Sequence, residues 1–189
     1  TTKQVQLGLT TGQVAGMTTK QVAALTTGQV AQGLTTDQLI ALTTAQVAQG
    51  LTTDQISMGL TTAQIAGLST DNFAVLGTDR LQALTTQQAA ALTSSQTAAL
   101  TTAKAVILET ADLAALSTSA LNALGTTNIK ALTTVQLQSL TTSQVLALAT
   151  DALAALTTDR VVALTTGQVA ALSSTQLGAL TTSQIAEIG

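Results

Sequence analysis

The chain has 189 residues, of which 46% are apolar, 1% aromatic and 8% charged, with a net charge of −3 and no His, Cys, Tyr, Trp or Pro. This leaves no disulfide framework and no thiolate metal site, and it removes the commonest catalytic base, the best nucleophile and a common acid; the basic residues Lys3, Lys20, Arg80, Lys104, Lys130 and Arg160 lie too far apart to form a phosphate-binding face, so nucleic acid is not an expected partner. Mean hydropathy is high at +0.43, yet Thr-Thr pairs interrupt each apolar run before it reaches the length of a membrane span.

From Thr1 the chain divides without remainder into twenty-three units of the form Thr-Thr-x-Gln-Val-Ala-Ala-Leu, such as Thr18 to Leu25, Thr61 to Leu68 and Thr165 to Leu172. Four units near the start, Thr1 to Leu9, Thr26 to Leu34, Thr43 to Leu51 and Thr52 to Leu60, carry a ninth residue, a Gly before the closing Leu. The final unit also has nine residues, counting Gly189. A period this regular predicts one continuous array over residues 1–189 with no separate domains. Each unit is too small to fold alone and gains its burial from its neighbours. The chain opens on Thr, and both ends finish within the pattern, which reads as a processed chain or a segment of a longer array.

Within each unit the signals are those of a helix start. Thr followed three residues later by Gln is a capping box, and the flanking Leu and Val stand where a hydrophobic staple would form. Gln holds the fourth position in fifteen of the twenty-three units, and the first position is Thr, Ser or Gly except at Glu109 and Ala149. Val and the closing Leu lie three residues apart, on one helical face. Gly8, Gly33, Gly50 and Gly59 stand where a left-handed residue would end a helix, whereas Gly16 and Gly67 fall one place earlier.

Eight residues turn a straight helix by about 800°, so the Val/Leu stripe of an unbroken helix would wind around it and face no single partner. A β-solenoid would suit Thr and Val, but strict alternation is missing. The expected fold is therefore all-α: a solenoid of very short capped helices, one per repeat. The third positions Lys3, Gly12, Lys20, Gly28, Asp37, Ala45, Asp54 and Ala63 alternate charged with small. That alternation favours two repeats per coil, with three also allowed.

No catalytic, cofactor-binding or metal-binding residues are expected. Asp37, Asp54 and Asp71 recur every seventeen residues. In a two-repeat coil they would stack in a column open to a weak cation, although first-turn acids that complement the helix dipole have the same spacing. Asp79-Arg80 and Asp159-Arg160 read as surface ion pairs of small energy. From Ser69 to Leu164 the period never slips, and Arg80, Lys104, Asp112 and Arg160 simply replace Gln, as expected under relaxed surface constraint; Phe73 in this stretch could alternatively mark a local binding patch. The second position is Thr throughout, apart from Ser94 and Ser174. Its methyls could pack and its hydroxyls bond an adjacent coil, or it could form an outward Thr ladder of the kind that meets a glycan, another filament or ice.

The Leu-Thr-Thr-x-Gln-Val-Ala-Ala-Leu-Thr-Thr pattern resembles the long repeat regions of very large surface proteins of Gram-negative bacteria. These are often described as haem-utilisation or adhesin-like proteins and are exported by type I secretion. The resemblance covers the whole chain and implies surface display, adhesion or fibre formation. The chain lacks the Gly-Gly-x-Gly-x-Asp calcium repeats that accompany such regions, and Met17 and Met58 make a poor haem-ligand pair. The resulting expectation is a structural repeat protein, not an enzyme, at the bacterial cell surface. It would form or extend an extracellular filament or adhesin stalk through head-to-tail and lateral self-association, with possible surface or matrix contacts. The alternative is a solenoid that binds a peptide or glycan.

Overall fold

The computed structural model describes residues 1–188. It comprises two compact units, Thr1–Leu92 and Thr93–Gly189. Each is a helical solenoid with one short helix per repeat, running in sequence from Thr2–Gly8 to Thr182–Ile188, and no strand occurs among the described residues. The joints show why the helices stay short. Helix Thr134–Ser139 ends on Leu140 at φ −62°, ψ 139°, and Thr141 follows at φ −68°, ψ 157° before helix Thr142–Ala147 begins. Two successive extended residues redirect the chain, and the Thr at the second of them caps the next helix.

Helices pack on the helix three repeats away. In the first unit Thr2–Gly8 packs on Gln29–Gly33, Thr19–Ala23 on Gln46–Gly50, and Gln29–Gly33 on Gln55–Gly59. In the second unit Ser94–Ala98 packs on Thr118–Ala123, Gly125–Ala131 on Thr150–Ala154, and Thr158–Val162 on Thr182–Ile188. A coil therefore holds three repeats, which corrects the expectation of two. A two-repeat coil would reverse the chain at every joint, and reversal takes a tight turn with special backbone angles. An extended Leu-Thr joint bends the path less sharply, so the chain returns over itself one repeat later.

Three positions of each repeat face inward. The fifth supplies Val14, Val22, Val30, Leu39, Val47, Ile56, Ile65, Phe73 and Leu81, all at 0% exposure. Phe73 is thus an ordinary core residue and not a surface patch. The last position supplies the closing Leu, as at Leu51, Leu76 and Leu132. The fourth is mostly polar and nevertheless buried in the inner repeats, as at Gln64, Gln96 and Gln144.

The ninth residue of the long repeats is absorbed in a way the sequence does not announce. Gln29–Gly33, Gln46–Gly50 and Gln55–Gly59 are π-helices, whose wider turn takes up one extra residue. Their glycines are not left-handed caps, since the positive-φ residue among the described ones is Gly125, at φ 76°. Close approach requires them instead. A Cβ on Gly33 would lie 3.2 Å from the Val5 Cβ, one on Gly50 3.1 Å from the Val22 Cβ, and one on Gly59 3.3 Å from the Val30 Cβ. Gly8 ends an α-helix, Thr2–Gly8, with nothing within 4 Å of its Cβ position. No helix among the described residues is long and apolar enough to cross a membrane.

Candidate functional site

A helix of five residues leaves most of its backbone amides and carbonyls without an intrahelical partner, so its ends decide whether it exists. The fourth-position glutamine serves both ends, in two different repeats. Its local task is the one legible in sequence. In repeat Thr141 to Leu148 the Thr141 hydroxyl accepts from the Gln144 amide at 3.1 Å, and Gln144 Oε1 accepts from the Thr141 amide at 2.8 Å. The same reciprocal pair forms where the helix is of the π type, as at Thr43 and Gln46.

The second task reaches across the coil. Gln144 Nε2 donates to the carbonyls of Leu113, Ala114 and Leu116 at 2.8, 3.2 and 2.8 Å. These are the carbonyls closing the repeat four places earlier, at the joint into the repeat on which helix Thr142–Ala147 rests; Leu113 also accepts from the Leu116 amide. Gln168 does the same for Leu137, Gln138 and Leu140, and Gln176 for Val145, Leu146 and Leu148. In the first unit Gln46 reaches Met17, Gln55 reaches Leu25, Gln64 reaches Leu34 and Gln88 reaches Leu60. One side-chain amide thus caps a helix N-terminus with its oxygen and an earlier helix C-terminus with its nitrogen. No buried side-chain polar atom is left without a partner among the described residues.

Asn and Arg in place of Gln keep the distant task, whereas Ala120 and Ala152 carry no donor. Asn72 Nδ2 donates to the Leu42 carbonyl at 2.9 Å, and Asn128 Nδ2 to Leu100 at 2.8 Å. Arg160 Nε donates to the Leu132 carbonyl at 2.8 Å, and Arg80 Nε donates to Leu51. These arginines are therefore joint-capping groups, not products of relaxed surface constraint. Asp112 occupies the same slot and is buried at 3% exposure. The signal available in the sequence was the slot itself: its occupants are mostly polar donors, at a position that a helix of this register turns inward.

The acidic column does not form. Asp37, Asp54 and Asp71 belong to alternate repeats, while stacking pairs every third, so they fall on different sides of the coil, all exposed. No group of three or more His, Cys, Asp or Glu side chains that could hold a metal comes together among the described residues. The second-position hydroxyls make scattered contacts between coils, from Thr102 to Asn128 Oδ1 at 2.8 Å and from Thr126 to Asp151 Oδ2 at 3.0 Å.

The ladder is open at the outer coils. Gln4, Gln13 and Gln21 are exposed; each closes its own capping box, but its Nε2 meets no carbonyl. At the other extreme the fifth-position side chains, buried elsewhere, emerge: Val169 is half-buried, Leu177 37% exposed and Ile185 43% exposed. Shallow hollows lie on these same coils, one beside Thr1, Gln4, Leu7 and Gly8, another beside Thr158, Val162, Ser183 and Glu187.

No curated protein and no solved structure matches the chain. A family model, the ALTTAQ repeat, matches residues 7–32, 58–86, 106–142 and 159–188. These segments make up more than half of the chain and share its octad, so the chain belongs to the ALTTAQ repeat family.

Proposed function

We propose that the chain is a structural repeat protein that forms or extends an extracellular filament, or the stalk of an adhesin at a bacterial surface, by head-to-tail stacking. The observation that carries this reading is the glutamine ladder. Each coil closes the joints of the coil before it and presents its own joints, and its own fifth-position side chains, for the next to close. Extension by one coil repeats contacts already made, so stability grows with length and calls for no new chemistry. The flanks carry mostly Thr, Ser and small residues with little charge, so electrostatic repulsion does little to prevent lateral bundling. A peptide- or glycan-binding solenoid would draw its anchors from Phe73, Arg80 and Arg160, and all three are committed inside the array. Negative-stain microscopy of the purified chain tests the proposal. Filaments that lengthen with protein concentration are expected, and a solution of compact monomers at the highest reachable concentration overturns it.

A further inference from the structure

We propose that the joint Leu124–Gly125 is a yielding point built into the second unit, an interior joint that opens before its neighbours because it lacks both of the holds that keep a joint extended. One hold is local, the capping box of the repeat that the joint opens. The other is distant, the fourth-position donor that arrives from four repeats later.

Joints that have lost only the local hold show what the distant one does. Glu109, Ala149 and Thr157 each open a helix that has no side-chain cap. All three are nevertheless extended, at φ −67°, ψ 149°, at φ −61°, ψ 142° and at φ −69°, ψ 157°. In each case a glutamine clamps the carbonyl just before the joint: Gln136 on Leu108, Gln176 on Leu148 and Gln184 on Leu156. The distant donor is enough.

Leu124–Gly125 has neither hold. Gly125 brings no hydroxyl, and Asn128, in the fourth position of its repeat, is turned to the coil before: its Nδ2 donates to the Leu100 carbonyl and its Oδ1 accepts from the Thr102 hydroxyl. The distant slot for Leu124 falls on Ala152, which has no donor. Leu124 stays helical, at φ −56° and ψ −29°, and Gly125 takes φ 76°. Glycine by itself does not produce this geometry, because Gly77 also opens a repeat and is extended. Ala152 and Gly125 are therefore two halves of one change. Without the clamp the chain runs on as helix, and glycine turns it back through a region that other residues enter with strain.

The polar contacts between these repeats are also rearranged. The Ala149 amide, which a glutamine at 152 would take, donates to Asn122 Oδ1 at 3.3 Å, and Asn122 Nδ2 donates to the Ala147 carbonyl. Asp151 accepts from the Ala152 amide and from the Thr126 hydroxyl, both at 3.0 Å. Asn122 is half-buried and Asp151 exposed, so water competes for these bonds as it does not for those of the buried Gln144. Where stability is a sum over neighbouring contacts, opening starts at the weakest of them.

Hydrogen exchange of the whole chain, read by mass spectrometry, tests this. Amides of residues 121–128 are expected to exchange roughly tenfold faster than those of residues 137–144, about the worth of one buried hydrogen bond; the second segment spans the joint Leu140–Thr141, which has both holds. Equal exchange of the two segments overturns the yielding joint. Ala152→Gln combined with Gly125→Thr supplies a donor for Leu124 and a hydroxyl for the Asn128 amide, the role that Ser69 plays for Asn72. The pair should slow exchange at 121–128 to the level of 137–144. Gly125→Thr alone should lower the melting temperature, and adding Ala152→Gln should bring it back at least to that of the parent. A loss from Gly125→Thr that Ala152→Gln leaves untouched overturns the link between slot and joint.

Discussion

An inner repeat and an outer one can carry nearly the same eight residues and live in different surroundings. Thr141 to Leu148 and Thr10 to Met17 both read Thr-Thr-x-Gln-Val. Gln144 is 2% exposed and joins three distant carbonyls, whereas Gln13 is exposed and bonds only within its own repeat. At the opposite extreme Leu113 and Leu177 share the fifth position, one at 0% exposure and the other at 37%. Helix formation is thus a property of the repeat, and burial is a property of its neighbours three and four repeats away. Substitutions at equivalent positions should separate the two contributions.

The largest difference is expected at the fifth position. Leu113→Ala empties a fully enclosed site and should cost about 2–5 kcal/mol, whereas Leu177→Ala, already part-solvated, should cost less than about 1 kcal/mol. Urea denaturation followed by circular dichroism measures both. Equal losses would mean that the fifth position acts through local helix formation and not through the coil that covers it.

Next in size is the glutamine. Gln144→Ala removes half of a capping box, leaves the Ala114 and Leu116 carbonyls without their donor and leaves Leu113 only the Leu116 amide, a combined loss of about 2–4 kcal/mol. Gln13→Ala removes only the local cap, about 0.5–1 kcal/mol. Hydrogen exchange offers a sharper reading: Gln144→Ala should loosen amides around Leu116, twenty-eight residues away, while the effect of Gln13→Ala should stay within its own repeat.

The local half of this design was readable from residue order. The Thr-to-Gln spacing specifies a cap, the recurrence of the start signal specifies where each helix stops, and Val with Leu specifies the buried face. What could not be read was how far the chain turns at a joint, because Leu-Thr in extended geometry carries no turn signature. The coil count therefore rested on the Lys3-to-Ala63 alternation, which follows pairs of repeats and has no bearing on stacking in threes. With the wrong count, Asp37, Asp54 and Asp71 looked like a column, and the second task of Gln was invisible because its acceptors lie about thirty residues away. Arg80 and Arg160 were read as surface substitutions for the same reason: a guanidinium beside a Thr-Asp pair looks solvated until the Leu51 and Leu132 carbonyls are found against it.

The long repeats supply a third comparison. Gly50→Ala would force a methyl against Val22 and the Thr19 carbonyl, costing about 1–3 kcal/mol. Gly8→Ala has open space and a helical backbone, so it should be neutral or stabilising by up to about 1 kcal/mol in the isolated chain. Thermal melts of the two variants side by side should move in opposite directions or leave Gly8→Ala unchanged. If Gly50→Ala melts with the parent, the π-turn is elastic enough to move away from Val22, and close approach is not what selects glycine there.

The smallest contrast separates two joints that both open on glycine. Gly77 has φ −67°, ψ 163°, the extended geometry of a normal first-position Thr, and a Cβ there would meet Arg80 Nη1 at an ordinary 3.5 Å. Gly125 follows a helical Leu124, at φ −56° and ψ −29°, and takes φ 76°. Gly77→Thr restores the usual capping hydroxyl and should be neutral or stabilising by a few tenths of a kcal/mol. Gly125→Thr puts a β-branched residue in the left-handed region and should cost about 1–2 kcal/mol. The space around Gly125 is open, with nothing within 4 Å of its Cβ position, so any loss there is conformational and not steric. Gly125→Asn isolates that cause: Asn tolerates the left-handed region far better than Thr, so it should recover most of the stability. If Thr and Asn destabilise equally, the joint at Leu124 does not depend on backbone handedness, and glycine there does no more than it does at Gly77.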